Sequence, residues 1–270
     1  MIRWRWRVMQ MNELKSRLNS LKLAGMSGAL ETRNEYALAN KLSYTEFLEL
    51  LIEDETANRT SNSYRRRLSS SRLNVGKTIS AYEFVHQPEL DKKKIMDIAS
   101  CRFIHDRKNV IFMGNPGVGK THLANALGLE ALKQGFKVQM VSASSLIDRL
   151  HASRMDGTHK NLLKTFCETD LLIIDELGFK KINQGCIDEF FEVISQRYEN
   201  GATIITTNRN FEEWGHIFGD AVLASAIIDR LVHHAYIVKI NGQSYRIKDH
   251  VKNGELERKG GKQMTQAGEK

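Results

Sequence analysis

Gly114-Asn115-Pro116-Gly117-Val118-Gly119-Lys120-Thr121 satisfies the pattern GxxxxGK[ST] at every constrained position. The glycines let backbone N–H groups close around phosphates, Lys120 can reach the β- and γ-phosphates, and the Thr121 hydroxyl can ligate Mg²⁺. The helix expected to start near Lys120 adds its partial positive charge. By composition alone such a stretch arises in roughly one chain of this length in a hundred. Here it also lies between a short apolar strand, Val110 to Met113, and a helical segment, as phosphate binding requires. A glycine-rich turn that binds nothing is the weaker reading.

The second half of a nucleotide site stands at Leu171-Leu172-Ile173-Ile174-Asp175-Glu176. Four apolar residues make a buried strand, and two carboxylates emerge at its carboxyl end, where open α/β sheets bind ligands. Asp175 suits Mg²⁺, directly or through water. Glu176 suits orienting and polarising an attacking water, although both residues also cap helices well. Further strands are expected at Val138–Val141, Thr203–Thr206 and Ile237–Ile240, separated by helix-length amphipathic stretches. Five strands with crossover helices predict an α/β fold with a parallel five-stranded sheet and helices on both faces. The fourth strand runs into Thr207-Asn208. Asn208 can aim an amide at the γ-phosphate or the lytic water, and it also suits an ordinary turn. No NKxD signature follows the glycine loop, which favours ATP over GTP.

Outside this core the texture changes. Residues 1–10, MIRWRWRVMQ, are basic and aromatic without a signal peptide's apolar stretch, and read as a disordered extension ahead of a start at Met11, with a membrane- or DNA-touching arm as the weaker reading. Residues 11–80 read as a small helical domain. Leu14, Leu18 and Leu21 recur at helical spacing. Ser43 and Glu46 form a capping box before Phe47, Leu50 and Leu51, in a helix that runs toward Arg65-Arg66-Arg67. Asn74 and Gly76 read as a linker. The ATPase domain is placed at 81–252, and the Gly-, Lys-, Glu- and Gln-rich stretch 253–270 reads as a disordered tail.

Lys and Arg number 40 against 32 Asp and Glu, a net charge of +8 that favours an anionic partner, nucleic acid being the commonest. Cys101, Cys167 and Cys186 are odd in number and far apart, without metal-ligand spacing, and read as reduced thiols of a cytoplasmic protein. No apolar run reaches the ~18 residues of a membrane span.

Taken together, GNPGVGKT, LLIIDE, TTN, Asp229-Arg230-Leu231 and Ser244-Tyr245-Arg246 resemble the AAA+ family in its initiator/loader branch. The chain is most similar to the IstB-like helper ATPases of insertion-sequence transposition, and more distantly to the DnaC-type helicase loaders. LKLAGM, ASCRFI, FEEWGHIFGD and LVHHAYIVKINGQSYR carry that ranking. The resemblance implies Asn208 as sensor 1, Arg230 as an arginine finger reaching a neighbouring subunit's ATP, and Arg246 at the sensor 2 position. A guanidinium matches the spread charge of a phosphoryl-transfer transition state; surface cations at both positions are the blander reading. It also implies a homo-oligomer on DNA, duplex favoured, a cognate transposase, and an extra helix facing nucleic acid within Ser144 to Cys167. There Arg154 and Lys160 are the expected DNA contacts, against a merely solvated helix face.

Three other functions fit parts of the chain, one of them an ATP-binding switch with negligible hydrolysis, which Glu176 disfavours. A helicase loader would grip single-stranded DNA and a replicative helicase. A small-molecule kinase would need an acceptor pocket and a cationic lid, where the chain instead offers a basic helical domain, Glu176 and Arg230.

Overall fold

All five apolar runs form strands: β1 Asn109–Gly114, β2 Val138–Ser142, β3 Leu171–Leu177, β4 Ala202–Thr207 and β5 Ala235–Ile240. The computed structural model describes residues 10–179, 182, 186–242, 244 and 245. The expectations for residues 1–9 and 246–270, Arg246 among them, lie outside these. The chain divides into two units, Met1–Arg66 and Arg67–Lys270.

In the first unit, α1 (Met11–Ser20), α2 (Ala24–Asn40) and α3 (Tyr44–Ser71, which runs on into the second unit) follow the helical spacing. The Ser43 hydroxyl accepts from the Glu46 N–H at 3.3 Å while Glu46 accepts the Ser43 N–H at 2.7 Å, so the capping box forms. Glu55 is almost fully buried, and its Oε2 accepts the Gly25 N–H at 2.7 Å and the Met26 N–H at 3.2 Å. An α3 carboxylate thus caps α2, where unpaired N–H groups and the helix dipole both favour a negative charge. Helix-to-helix approach is close: a Cβ on Gly25 would stand 2.7 Å from the Asp54 carbonyl oxygen. Arg33 grips Asp54 through two hydrogen bonds of 2.7 and 2.9 Å, which holds the Asp54 carboxyl below its ordinary pKa.

In the second unit the strands form one sheet in the order β2-β3-β4-β1-β5, every pairing parallel. Parallel strands need crossovers, supplied here by helices. α4 (Lys92–Ala99), α5 (Arg102–His105) and α6 (Lys120–Lys133) serve one face, whose side chains include Val110, Phe112 and Ile173. The other face, with Ile111, Met113, Ile174 and Ile205, packs under α7 (Ala143–Met155), α8 (His159–Cys167), α9 (Ile187–Arg197), α10 (Trp214–Phe218) and α11 (Ala221–Val232). Strand residues one apart therefore face opposite layers. Both layers are apolar, which explains the near-continuous hydrophobic strands.

Arg197 is 2% exposed and, among the described residues, makes no ion pair with a carboxylate. Its guanidinium instead donates to the carbonyls of Phe166, Thr169 and Ala202 and to the Thr203 hydroxyl. Burial lowers its pKa to about 10, which leaves it charged at neutral pH. It binds the turn before β3 to the start of β4.

Candidate functional site

β1 ends at Gly114 and α6 begins at Lys120, so the glycine loop lies at the carboxyl end of β1. Gly119 has φ of +96°, and a Cβ there would come within 2.6 Å of the Tyr82 ring. Gly117, at φ of +83°, faces Ser244 with no room for a side chain. Only glycine meets both demands at once. Lys120 Nζ donates to the Gly114 and Asn115 carbonyls at 2.7 and 2.8 Å, so the ammonium lies over the loop's own curve. Phosphate oxygens would replace these neutral acceptors with charge-assisted ones.

The carboxylates of β3 meet this loop. Asp175 Oδ1 accepts the Thr121 hydroxyl at 2.9 Å and the Thr206 hydroxyl at 2.5 Å. The Thr206 oxygen in turn accepts the Glu176 N–H at 2.9 Å. Register with β4 slips between Ile174 and Leu177, and Glu176 takes φ of +58°. Such a bulge re-aims side chains at the end of a strand. Here it turns Glu176 out of the sheet into a cavity of about 580 Å³ also bordered by Lys120, Thr121 and Asn208. That volume is in the range of small-ligand sites. The sequence-predicted Gly117, Val118, Gly119, Lys120, Thr121, Glu176 and Asn208 thus come together around one space.

Sequence reasoning missed the far wall. The segment after α3, expected as a linker, is fastened to α6. Asn125, 1% exposed, accepts the Asn74 N–H and donates to the Asn74 and Lys77 carbonyls, at 2.8, 2.8 and 3.1 Å. His122 Nε2 lies 2.7 Å from the Thr78 carbonyl oxygen. Tyr82 donates its hydroxyl to the Val118 carbonyl at 3.2 Å and meets His122 edge to face, 5.4 Å between ring centres. Burial pushes the Tyr82 phenol up to about 12, so it stays protonated and donates. From the chain's other end, the Tyr245 N–H donates to the Gly117 carbonyl at 3.0 Å.

Other expected residues stand elsewhere. Arg230, on α11, does not border this cavity; it donates to the Ala226 carbonyl at 3.0 Å, and its guanidinium lies 5.0 Å from the Phe191 ring centre. Among the described residues it makes no ion pair with Asp229. Arg154 is held by two α9 carboxylates, Glu189 at 3.0 Å and Glu192 at 3.5 Å. Lys160, in the first turn of α8, is exposed.

A parallel sheet with a glycine loop after β1 and an Asp-Glu pair at the end of β3, with β4 between them, defines an AAA+ P-loop ATPase. The family model described as IstB-like ATP binding protein matches residues 16–253, and the chain belongs to that family. It is 38% identical over 229 residues to the insertion sequence IS5376 ATP-binding protein of Geobacillus stearothermophilus, covering 85% of this chain and 91% of that one. Identity to the insertion sequence IS21 ATP-binding protein of Pseudomonas aeruginosa is 37% over 246 residues, 91% and 93% of the two chains. The crystal structure of DnaI is similar in fold, with a TM-score of 0.53 and 24% identity over 63% of this chain and 95% of that one.

Proposed function

We propose that this ATPase is a DNA-binding helper of insertion-sequence transposition that assembles as an oligomer on duplex DNA, engages a cognate transposase, and leaves when ATP is hydrolysed. The observation that carries this reading is the joined Thr121–Asp175–Thr206–Glu176 constellation beside the glycine loop, in a chain of the insertion-sequence ATP-binding family.

Thr121 and Asp175, an oxygen-only pair already 2.9 Å apart, suit Mg²⁺, which would neutralise charge on the β- and γ-phosphates. In this reading Lys120 and the backbone N–H groups of the loop 114–121, Pro116 excepted, hold the phosphates, and Glu176 takes a proton from the attacking water. Asn208 orients that water or the γ-phosphate. Arg230, away from its own chain's cavity, serves a neighbour's, and Arg246 contributes as sensor 2. Lys160 contacts DNA phosphates; Arg154 joins it only by leaving Glu189 and Glu192.

Electron microscopy of the protein with ATP and either duplex or single-stranded DNA tests the whole. Ordered rings or spirals on duplex are expected. Selective assembly on single strands would replace this reading with a helicase loader.

A further inference from the structure

On the sheet face away from α6, two packed helices present matching pairs of donor side chains. Asp148 and His151 stand three residues apart on α7, and Cys186 and Glu189 three apart at the start of α9. That spacing puts each pair on one side of its helix, and α7 packs against α9. One donor atom each from His151, Cys186 and Glu189 lies within 4.8 Å of the other two. Ligands of a tetrahedral zinc ion sit about 2.0–2.3 Å from the metal, hence roughly 3.3–3.8 Å from one another. Small side-chain rotations close the remaining gap.

Glu189 supplies an independent sign. Its side chain is 3% exposed; Oε1 takes the Arg154 hydrogen bond at 3.0 Å and lies 3.4 Å from His151 Nδ1. The other oxygen, Oε2, is buried without a hydrogen-bond partner. A buried carboxylate oxygen lacking a donor is costly, and a cation satisfies it. Thiol, imidazole and carboxylate together suit zinc and disfavour the Mg²⁺ that ATP brings.

We propose that His151, Cys186 and Glu189, with Asp148 or a water as the fourth ligand, bind a zinc-class divalent cation that clamps the start of α9 to α7. Binding exchanges the Cys186 S–H for an S–Zn bond and releases that proton to solvent, with no change of oxidation state. None of the four borders the nucleotide cavity. Cys186 immediately precedes α9, so the ion restrains the start of that helix.

The test uses the full reduced chain without nucleotide, titrated with Zn²⁺ against a chromophoric chelator and with Co²⁺ followed by absorption. Expected are one ion per chain, proton release, and a near-ultraviolet thiolate-to-cobalt band. Cys186→Ser should abolish the band, and both it and His151→Ala should weaken Zn²⁺ binding at least tenfold, with circular dichroism and ATP affinity unchanged. Cys167→Ser should keep the band. An absent band overturns the proposal. So does binding that survives Cys186→Ser and disappears on replacing His233 and His234 by Ala, because the exposed Glu199–His233–His234 group would then be the site.

Discussion

Asp175 and Glu176 are adjacent in sequence, yet Thr206 on another strand holds both. Its hydroxyl donates to Asp175 and accepts the Glu176 N–H, so one oxygen fixes the carboxylate and the bulged backbone beside it. Removing that oxygen leaves the Glu176 N–H without its partner and deprives Asp175 of a charge-assisted bond, changes typically worth about 1–3 kcal/mol each. Thr206→Val, nearly the same shape, should therefore reduce ATP turnover roughly 10- to 100-fold with ATP affinity changed less than about threefold, and Thr206→Ser should recover most of it. A parallel loss of affinity and fold, by calorimetry and thermal melting, would make Thr206 merely structural. Glu176→Gln should likewise bind ATP while turnover falls by about 10²-fold or more, because the amide accepts no proton. Unchanged steady-state hydrolysis would remove Glu176 from that role.

The strap from Asn74 to Tyr82 matters at the scale of an element. It has no regular structure, so its backbone groups depend on partners such as the Asn125 amide, which imitates a neighbouring strand for Asn74. Asn125→Leu should cost about 2–4 kcal/mol by stranding these buried groups, and ATP binding should weaken because Tyr82 loses its anchor on the glycine loop. Denaturant unfolding and nucleotide titration check the two halves; unaltered affinity would detach the strap from the site. The strands, the two helices within residues 143–167 and the Ser43 cap were legible because each is written in neighbouring residues. So were Lys120, Thr121, Asp175, Glu176 and Asn208, which follow apolar runs at fixed offsets. Asn125, Tyr82, His122 and Thr206 were not. Their hydrogen bonds join residues 30 to 51 positions apart, and locally an Asn in a helix or a Thr in a strand says nothing of a distant carbonyl.

Across the whole molecule, the separation of Arg230 from its own chain's cavity makes a strong demand. If it completes a neighbour's site, Arg230→Ala should leave ATP binding intact and lower assembled turnover by about 10³-fold or more. Mixing Arg230→Ala with Lys120→Ala subunits should restore part of the activity, since some junctions regain an intact loop and an intact arginine. Co-assembled mixtures without recovery would assign Arg230 to its contact with Phe191 alone. The strand order carries a different consequence, for the way the chain is made. β1 lies between β4 and β5, and Ala202 leaves the ribosome roughly ninety residues after Gly114. At about 5–20 residues per second, the apolar Val110-Ile111-Phe112-Met113 run has no sheet partner on either edge for several seconds of synthesis. Tyr245, which fastens the glycine loop, emerges later still. The nascent protein can neither bury β1 nor finish its nucleotide pocket until β4, β5 and Tyr245 have emerged, so a message cut short before β4 yields a sticky fragment rather than a weak ATPase.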